Sequence, residues 1–163
     1  MQKGFPAPKF KLTAVATGRN FDLKDFRSRY VLLLFVSPTN ARSSREVVIR
    51  VRKAFPNFEQ LPIAVVVNLH TVPRFFRGTV ERIMESAYRD AAAEIPVEFD
   101  PADHLILLPD WEGTITNAYH ADNSDREVHL RLVDPEGNMD MSLAGLPSID
   151  PLISHLKSHL MQD

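Results

Sequence analysis

The chain of 163 residues contains no cysteine. That absence removes disulfide bonds, thiolate nucleophiles and cysteine metal ligands in one step, and it leaves the redox compartment open. Long apolar runs are missing too. No stretch approaches the ~20 residues needed to span a bilayer. The opening "QKGFPAPKF" has none of the apolar core of a secretory leader. The expectation is a soluble protein, cytoplasmic by default, and periplasmic or exported if a leader has been cut away. Charge of one sign is also lacking: 19 Lys and Arg stand against 21 Asp and Glu, interspersed, for a net charge of −2. This gives no electrostatic reason to expect nucleic acid or an anionic membrane as a partner. P-loop, G-x-G-x-x-G and G-x-S-x-G patterns are absent, as are repeats and low-complexity segments.

What is present is enough for a core. Apolar residues make up 44% and charged residues 25% of the chain, and the length suits one domain over 1–163. "FPAPKFKL" reads as an extended entry with a short edge strand at Phe10 and Leu12. After the Gly18 turn come a short extended piece over Phe21–Leu23 and a one-turn helix over Lys24–Phe26. "YVLLLFV", Tyr30–Val36, is apolar without alternation, the mark of a central strand covered on both faces. The following helix places Val47, Val48, Val51, Ala54 and Phe55 on one face, and Pro56 ends it. Its dense arginines, Arg42 to Arg52, read mostly as a solvated face. Pro62–Asn68 is a second buried strand, making a right-handed parallel βαβ unit.

A second helix, about Arg77–Ile95, aligns Phe76, Val80, Ile83, Met84, Ala87 and Ala91 toward the core. His104–Asp110 is a third parallel strand, and "WEGTITNAY" a turn with a short helix. Val128, Leu130 and Leu132 alternate ahead of the "DPEGN" turn, giving an antiparallel hairpin. The last helix turns Leu152, Ile153, Leu156 and Leu160 inward, with Pro151 in its first turn. The order βββαβαβαββα predicts an α/β fold: a three-layer α/β/α sandwich on a mixed central sheet.

Three strings carry a resemblance. "GFPAPKFKL", "GRNFDLKDFRSRYVLLLFVSP" and "LRLVDPEGNM" together resemble the thioredoxin-like fold, in its redoxin branch of peroxiredoxin-like and TlpA-like proteins, over nearly the whole chain. "VVN" followed by "TVPRFFRGTVER" and "LPDWEGTITNAY" is similar, more narrowly, to the YtfJ-like group, whose members are typically exported. The resemblance implies a Cys-x-x-Cys pair at the start of the helix after the central strand, where the helix dipole stabilises a thiolate. Those positions fall near Asn40 and Ser43, and the facing cis-proline position falls at about Val128. Thiol–disulfide exchange and cysteine-based peroxide reduction are excluded.

The remaining candidates each have a structural reading beside the chemical one. Ser43-Ser44-Arg45-Glu46 fits a capping box with Ser43 as the cap, worth ~1 kcal/mol. The sharper reading is an anion site at that helix start, using Asn40, Arg42, Ser43, Ser44 and Arg45. His70, His129, Asp110 and Trp111 fall toward the carboxyl edge of the sheet, where ligands of open α/β folds gather; structural roles are the ordinary explanation. His155 and His159, at i and i+4, make half a metal site. Asp100, Asp103 and Asp110 have the look of loop and cap residues.

The function expected is therefore that of a redox-inactive, non-enzymatic binding, scaffold or chaperone-like module. It would take a protein or peptide partner through the face formed by 37–45, Asn68–Val72 and 127–129, with homodimerisation as a further option and no cofactor. The alternative is a non-thiol enzyme, or a metal- or anion-binding protein, using His70, His129 and Asp110.

Overall fold

The computed structural model describes residues 3–161. In chain order the elements are β1 (Lys11–Thr13), β2 (Asn20–Asp22), β3 (Val31–Val36), α1 (Ala41–Ala54), β4 (Ile63–Asn68), α2 (Arg77–Ala92), α3 (Pro101–His104), β5 (Ile106–Asp110), α4 (Thr114–Ala118), β6 (His129–Val133), β7 (Met139–Ala144) and α5 (Ile149–Leu160). A 3₁₀ turn over Leu23–Phe26 joins β2 to the segment before β3. The five-stranded sheet runs β5-β4-β3-β6-β7. Strands β3, β4 and β5 are parallel, and β6 and β7 are antiparallel to their neighbours. Strands β1 and β2 form a separate antiparallel pair.

Strand β3 lies at the centre of the sheet and is buried at all six positions, which is why an unbroken apolar run was needed there. Its side chains divide between two cores. Leu32, Leu34 and Val36 meet Val47 and Val51 of α1, Met84 of α2, and Leu152 and Leu156 of α5. Val31, Leu33 and Phe35 meet Phe10, Phe21 and Leu23 from the N-terminal hairpin, and Tyr119 beyond α4. Each of these large apolar side chains contributes about 1.5–3 kcal/mol on burial. The result is the expected sandwich, with one outer layer of three helices and the other made mainly of the hairpin, the 3₁₀ turn and the five-residue α4.

Four details differ from the sequence reading. Helix α1 begins at Ala41, so Ser43 lies inside its first turn and does not cap it. Helix α2 buries Met84 and Tyr88 and leaves Ile83 63% exposed, with Phe76 and Ala87 also outside. Its apolar stripe is wider than the contact it makes, and the buried side is the one carrying Val80, Met84 and Tyr88. Helix α3 is an element the sequence reading lacks, although Asp100 has the capping role expected of it: its carboxylate accepts from Ala102 N, and Pro101 occupies the first turn. Arg52, finally, does not belong to a solvated face. Its Nη1 donates to the Leu61 carbonyl at 2.7 Å, and burial pushes its pKa down to about 10.

Candidate functional site at the carboxyl edge

Strand β3 delivers the chain to the start of α1 through a tight turn over Ser37–Asn40. Asn40 N donates to Ser37 O at 3.2 Å, and Ser37 N donates back to Asn40 Oδ1 at 2.8 Å. Asn40 therefore stands at the N-cap position with its side chain turned toward the preceding strand, and it makes no side-chain cap bond to the helix. Its Nδ2 donates to the Ser124 carbonyl, and Thr39 Oγ1 donates to the Asp125 carbonyl at 3.3 Å. The segment after α4 is thereby strapped across the first turn of α1. That segment meets the start of α1 through its backbone carbonyls, which accept from Asn40 and Thr39.

The other residues of this loop are placed as follows. Ser43 N donates to Asn40 O at 2.9 Å, and the Ser44 hydroxyl donates to Ala41 O at 2.5 Å. Arg45 pairs with Glu94 at 2.6 Å. Arg42 is exposed. The polar groups of Asn40 and Ser44 are thus engaged by the chain itself. Val128 is fully buried against the helical core, and its carbonyl accepts from Gly145 N at 2.8 Å. There is no cis peptide bond among the described residues.

His70, Asp110 and His129 share an edge of the sheet without meeting. Asp110 ends β5 and accepts from both the amide and the hydroxyl of Thr116 at 2.8 Å, closing the turn into α4. His70 is exposed just beyond β4, with Nδ1 3.0 Å from Asn68 Oδ1. Gly113, at φ +72°, keeps that corner open, because a Cβ there would lie 3.1 Å from His70 Cβ. His129 pairs with Phe35 at the start of β6 and is 8% exposed. Asp110 and His129 are three strands apart, or about 14 Å at the usual spacing. Burial, and then the neighbouring Arg131, hold the His129 imidazole below its ordinary value. Trp111 packs on the helical core, with the Arg77 guanidinium 5.1 Å from its ring centre and Arg77 paired to Glu112 at 2.9 Å.

His155 and His159 do share a face of α5, with rings 4.4 Å apart. His155 Nε2 lies 2.6 Å from Asp140 Oδ2, while His159 Nδ1 lies 2.9 Å from the His155 carbonyl. Among the described residues no group of three or more His, Asp or Glu side chains is arranged to hold a metal.

Two features escaped the sequence reading. Arg131 is 4% exposed and donates to the carbonyls of Tyr119, His120, Leu130 and Leu143. It satisfies the carbonyls at the end of α4 with a cation, as the helix dipole favours. Phe75 and Phe76 form the second feature. They are 80% and 50% exposed, with ring centres 4.4 Å apart, on a 3₁₀ turn directly before α2. The Arg77 contacts to Trp111 and Glu112 place this pair at the carboxyl edge. The string "RFFR" was the available signal: two aromatics between arginines, on a turn too short to carry an apolar stripe of its own.

No protein-family model matches the chain, and no curated protein does. Solved structures do. The exposed lipoprotein thioredoxin Etrx1 of Streptococcus pneumoniae is similar at 17% identity and TM-score 0.65, over 93% of this chain and 99% of that one. A thiol:disulfide interchange protein DsbE, so described provisionally, from Chlorobium tepidum is similar at 18% identity and TM-score 0.66, over 98% and 99%. A provisionally described protein disulfide isomerase from Bacteroides thetaiotaomicron is similar at 14% identity and TM-score 0.68, over 99% and 92%. Identities this low carry the fold and nothing finer. The chain has the thioredoxin-like fold in a form that contains no cysteine.

Proposed function

We propose that this chain is a redox-inactive binding module whose partner docks on the carboxyl edge of the sheet, with Phe75 and Phe76 as its anchor. The exposed aromatic pair carries this reading. Two phenylalanines left in water beside the edge where the fold gathers its ligands would return about 1.5–3 kcal/mol each when a partner covers them. Arg42 is exposed on the same edge, and Arg74, also exposed, adds positive charge beside the Arg77–Glu112 pair. A protein surface with an apolar recess and an acidic rim complements that arrangement. The strapped turn at Asn40 is a fixed shoulder of this surface, because its polar groups are already bonded within the chain. His70, Asp110 and His129, each held by its own neighbours, lend no geometry to a non-thiol enzyme.

Affinity capture from native extract tests the proposal with two proteins: the unaltered chain and Phe75→Asp/Phe76→Asp. The double variant should keep its unfolding midpoint, since both rings are exposed, and lose the partners that the unaltered chain recovers. Recovery of the same partners at the same yield by the double variant would sink the idea.

A further inference from the structure

A cavity of about 220 Å³ opens at the amino edge of the sheet, the end opposite the aromatic pair. Its floor is aromatic: Phe21 and Phe26 are stacked with ring centres 4.8 Å apart and planes 22° from parallel. Phe58, Pro62 and Ile106 make its walls, and Arg19, Arg29 and Asp103 stand at its mouth. The charges at the mouth are not equivalent. Arg19 bridges Asp103 at 2.9 Å and Asp100 at 3.0 Å, so both acids and this cation are mutually engaged. Arg29 has no such partner among the described residues. Its guanidinium lies 5.0 Å from the Phe26 ring centre, and its one polar contact is a long 3.4 Å donation to the Glu59 carbonyl.

We propose that this cavity is a binding site for a small aromatic carboxylate, with the ring against Phe21, Phe26 and Phe58 and the carboxylate on Arg29. Volume, floor and charge each support it. At about 220 Å³ and open to solvent on one side, the recess has room for a six-membered ring inside and one polar substituent toward the opening. Phe21 is stacked between Phe10 and Phe26, and Arg29 lies over Phe26, so these rings offer a planar guest their edges, the T-shaped arrangement aromatic pairs favour. A guanidinium resting on an aromatic ring keeps its donor edge free, and the two parallel N–H groups of that edge match a carboxylate. The site is independent of the docking surface at the other end of the sheet.

The test is an NMR titration of the isotopically labelled full chain with three probes that share a ring: sodium benzoate, benzyl alcohol and benzylamine. Benzoate should give saturable shifts confined to residues 19–29, 58–62 and 102–106, with a Kd of about 1 mM for so small a ligand. Benzyl alcohol should bind about tenfold more weakly, and benzylamine should give no saturable shift. Arg29→Gln should bring benzoate to the level of the alcohol while leaving the alcohol unchanged, and Ala102→Trp at the cavity wall should block both. The proposal is overturned by any of four results: no saturation with benzoate through the millimolar range, shifts centred elsewhere, benzylamine binding as tightly as benzoate, or unchanged benzoate affinity in Arg29→Gln. If that variant does not fold, the ranking of the three probes on the unaltered chain decides the matter alone.

Discussion

The Asn40 side chain joins three segments: its oxygen takes the Ser37 amide, its nitrogen reaches the Ser124 carbonyl, and its backbone opens α1. Removing it strands a donor and an acceptor that are partly shielded from water, at about 1–3 kcal/mol for each group left without a substitute. Ser43 has no comparable role, because it sits within the first turn and alanine is the better helix former at such a position. Asn40→Ala is therefore expected to lower stability by about 2 kcal/mol in urea denaturation, and Ser43→Ala to change it by less than about 0.5 kcal/mol. Costs in the reverse order would mean that Ser43 caps the helix after all. The same logic explains why a glutamate three residues after a serine misled the sequence reading. A capping box needs the serine outside the helix, and the Ser37–Asn40 turn starts the helix two residues before Ser43.

Helix α2 shows where apolar periodicity stops being informative. Phe76, Val80, Ile83, Met84, Ala87 and Tyr88 span a stripe broad enough to be turned toward the core by either edge, and sequence alone cannot choose between adjacent positions 83 and 84. The strands were more legible because a buried strand has only two sides: "VLLLFV" had to be covered on both, and "HLRLV" turns Leu130 and Leu132 to the helical core and the buried polar His129 and Arg131 the other way. The parallel unit, the C-terminal hairpin and α5 followed from such patterns, and so did the location of the carboxyl edge. Contacts made by polar groups at long range were not legible. The Asn40–Ser124 strap spans 84 residues, Arg131 finds its carbonyls across three separate segments, and no local spacing encodes either. The two edges of the α2 stripe can be separated by experiment. Met84→Ala removes a core side chain and should cost about 2–4 kcal/mol, whereas Ile83→Lys, one residue earlier, should leave the unfolding midpoint within error. Equal losses would show that Ile83 is buried in solution and that the helix is rotated from the orientation described.

At the scale of the whole molecule, two histidines at opposite ends of the sheet couple its stability to pH. His104 lies just before β5 at the amino edge, between the rings of Phe58 and Phe99 at 4.7 and 4.8 Å, and it faces Arg52 and Asp103. His129 opens β6 at the carboxyl edge and faces Arg131, Glu127 and Asp122. For both, burial first and a neighbouring arginine second hold the folded-state pKa below the ordinary value of 6.5. The nearby acids oppose the shift without cancelling it. As pH falls below ~6.5, the unfolded chain takes up a proton at each site before the folded chain does. Protons then favour the unfolded state, so stability rises with pH across this window and is lost as pH drops through it. The Glu112 carboxyl, lowered by its hydrogen bond to Arg77, changes charge in a more acidic range and does not mask the effect. Because the two sites lie at opposite edges of the sheet and share no partner, their contributions should add. Urea midpoints measured at about pH 7.5 and about pH 5.5 should fall toward the acid side. His104→Gln and His129→Gln should each flatten the slope, and the double variant should flatten it by the sum of the two. A midpoint that holds steady or rises on acidification, or a double variant with the full slope, would show that these imidazoles are not the groups the folded chain keeps neutral.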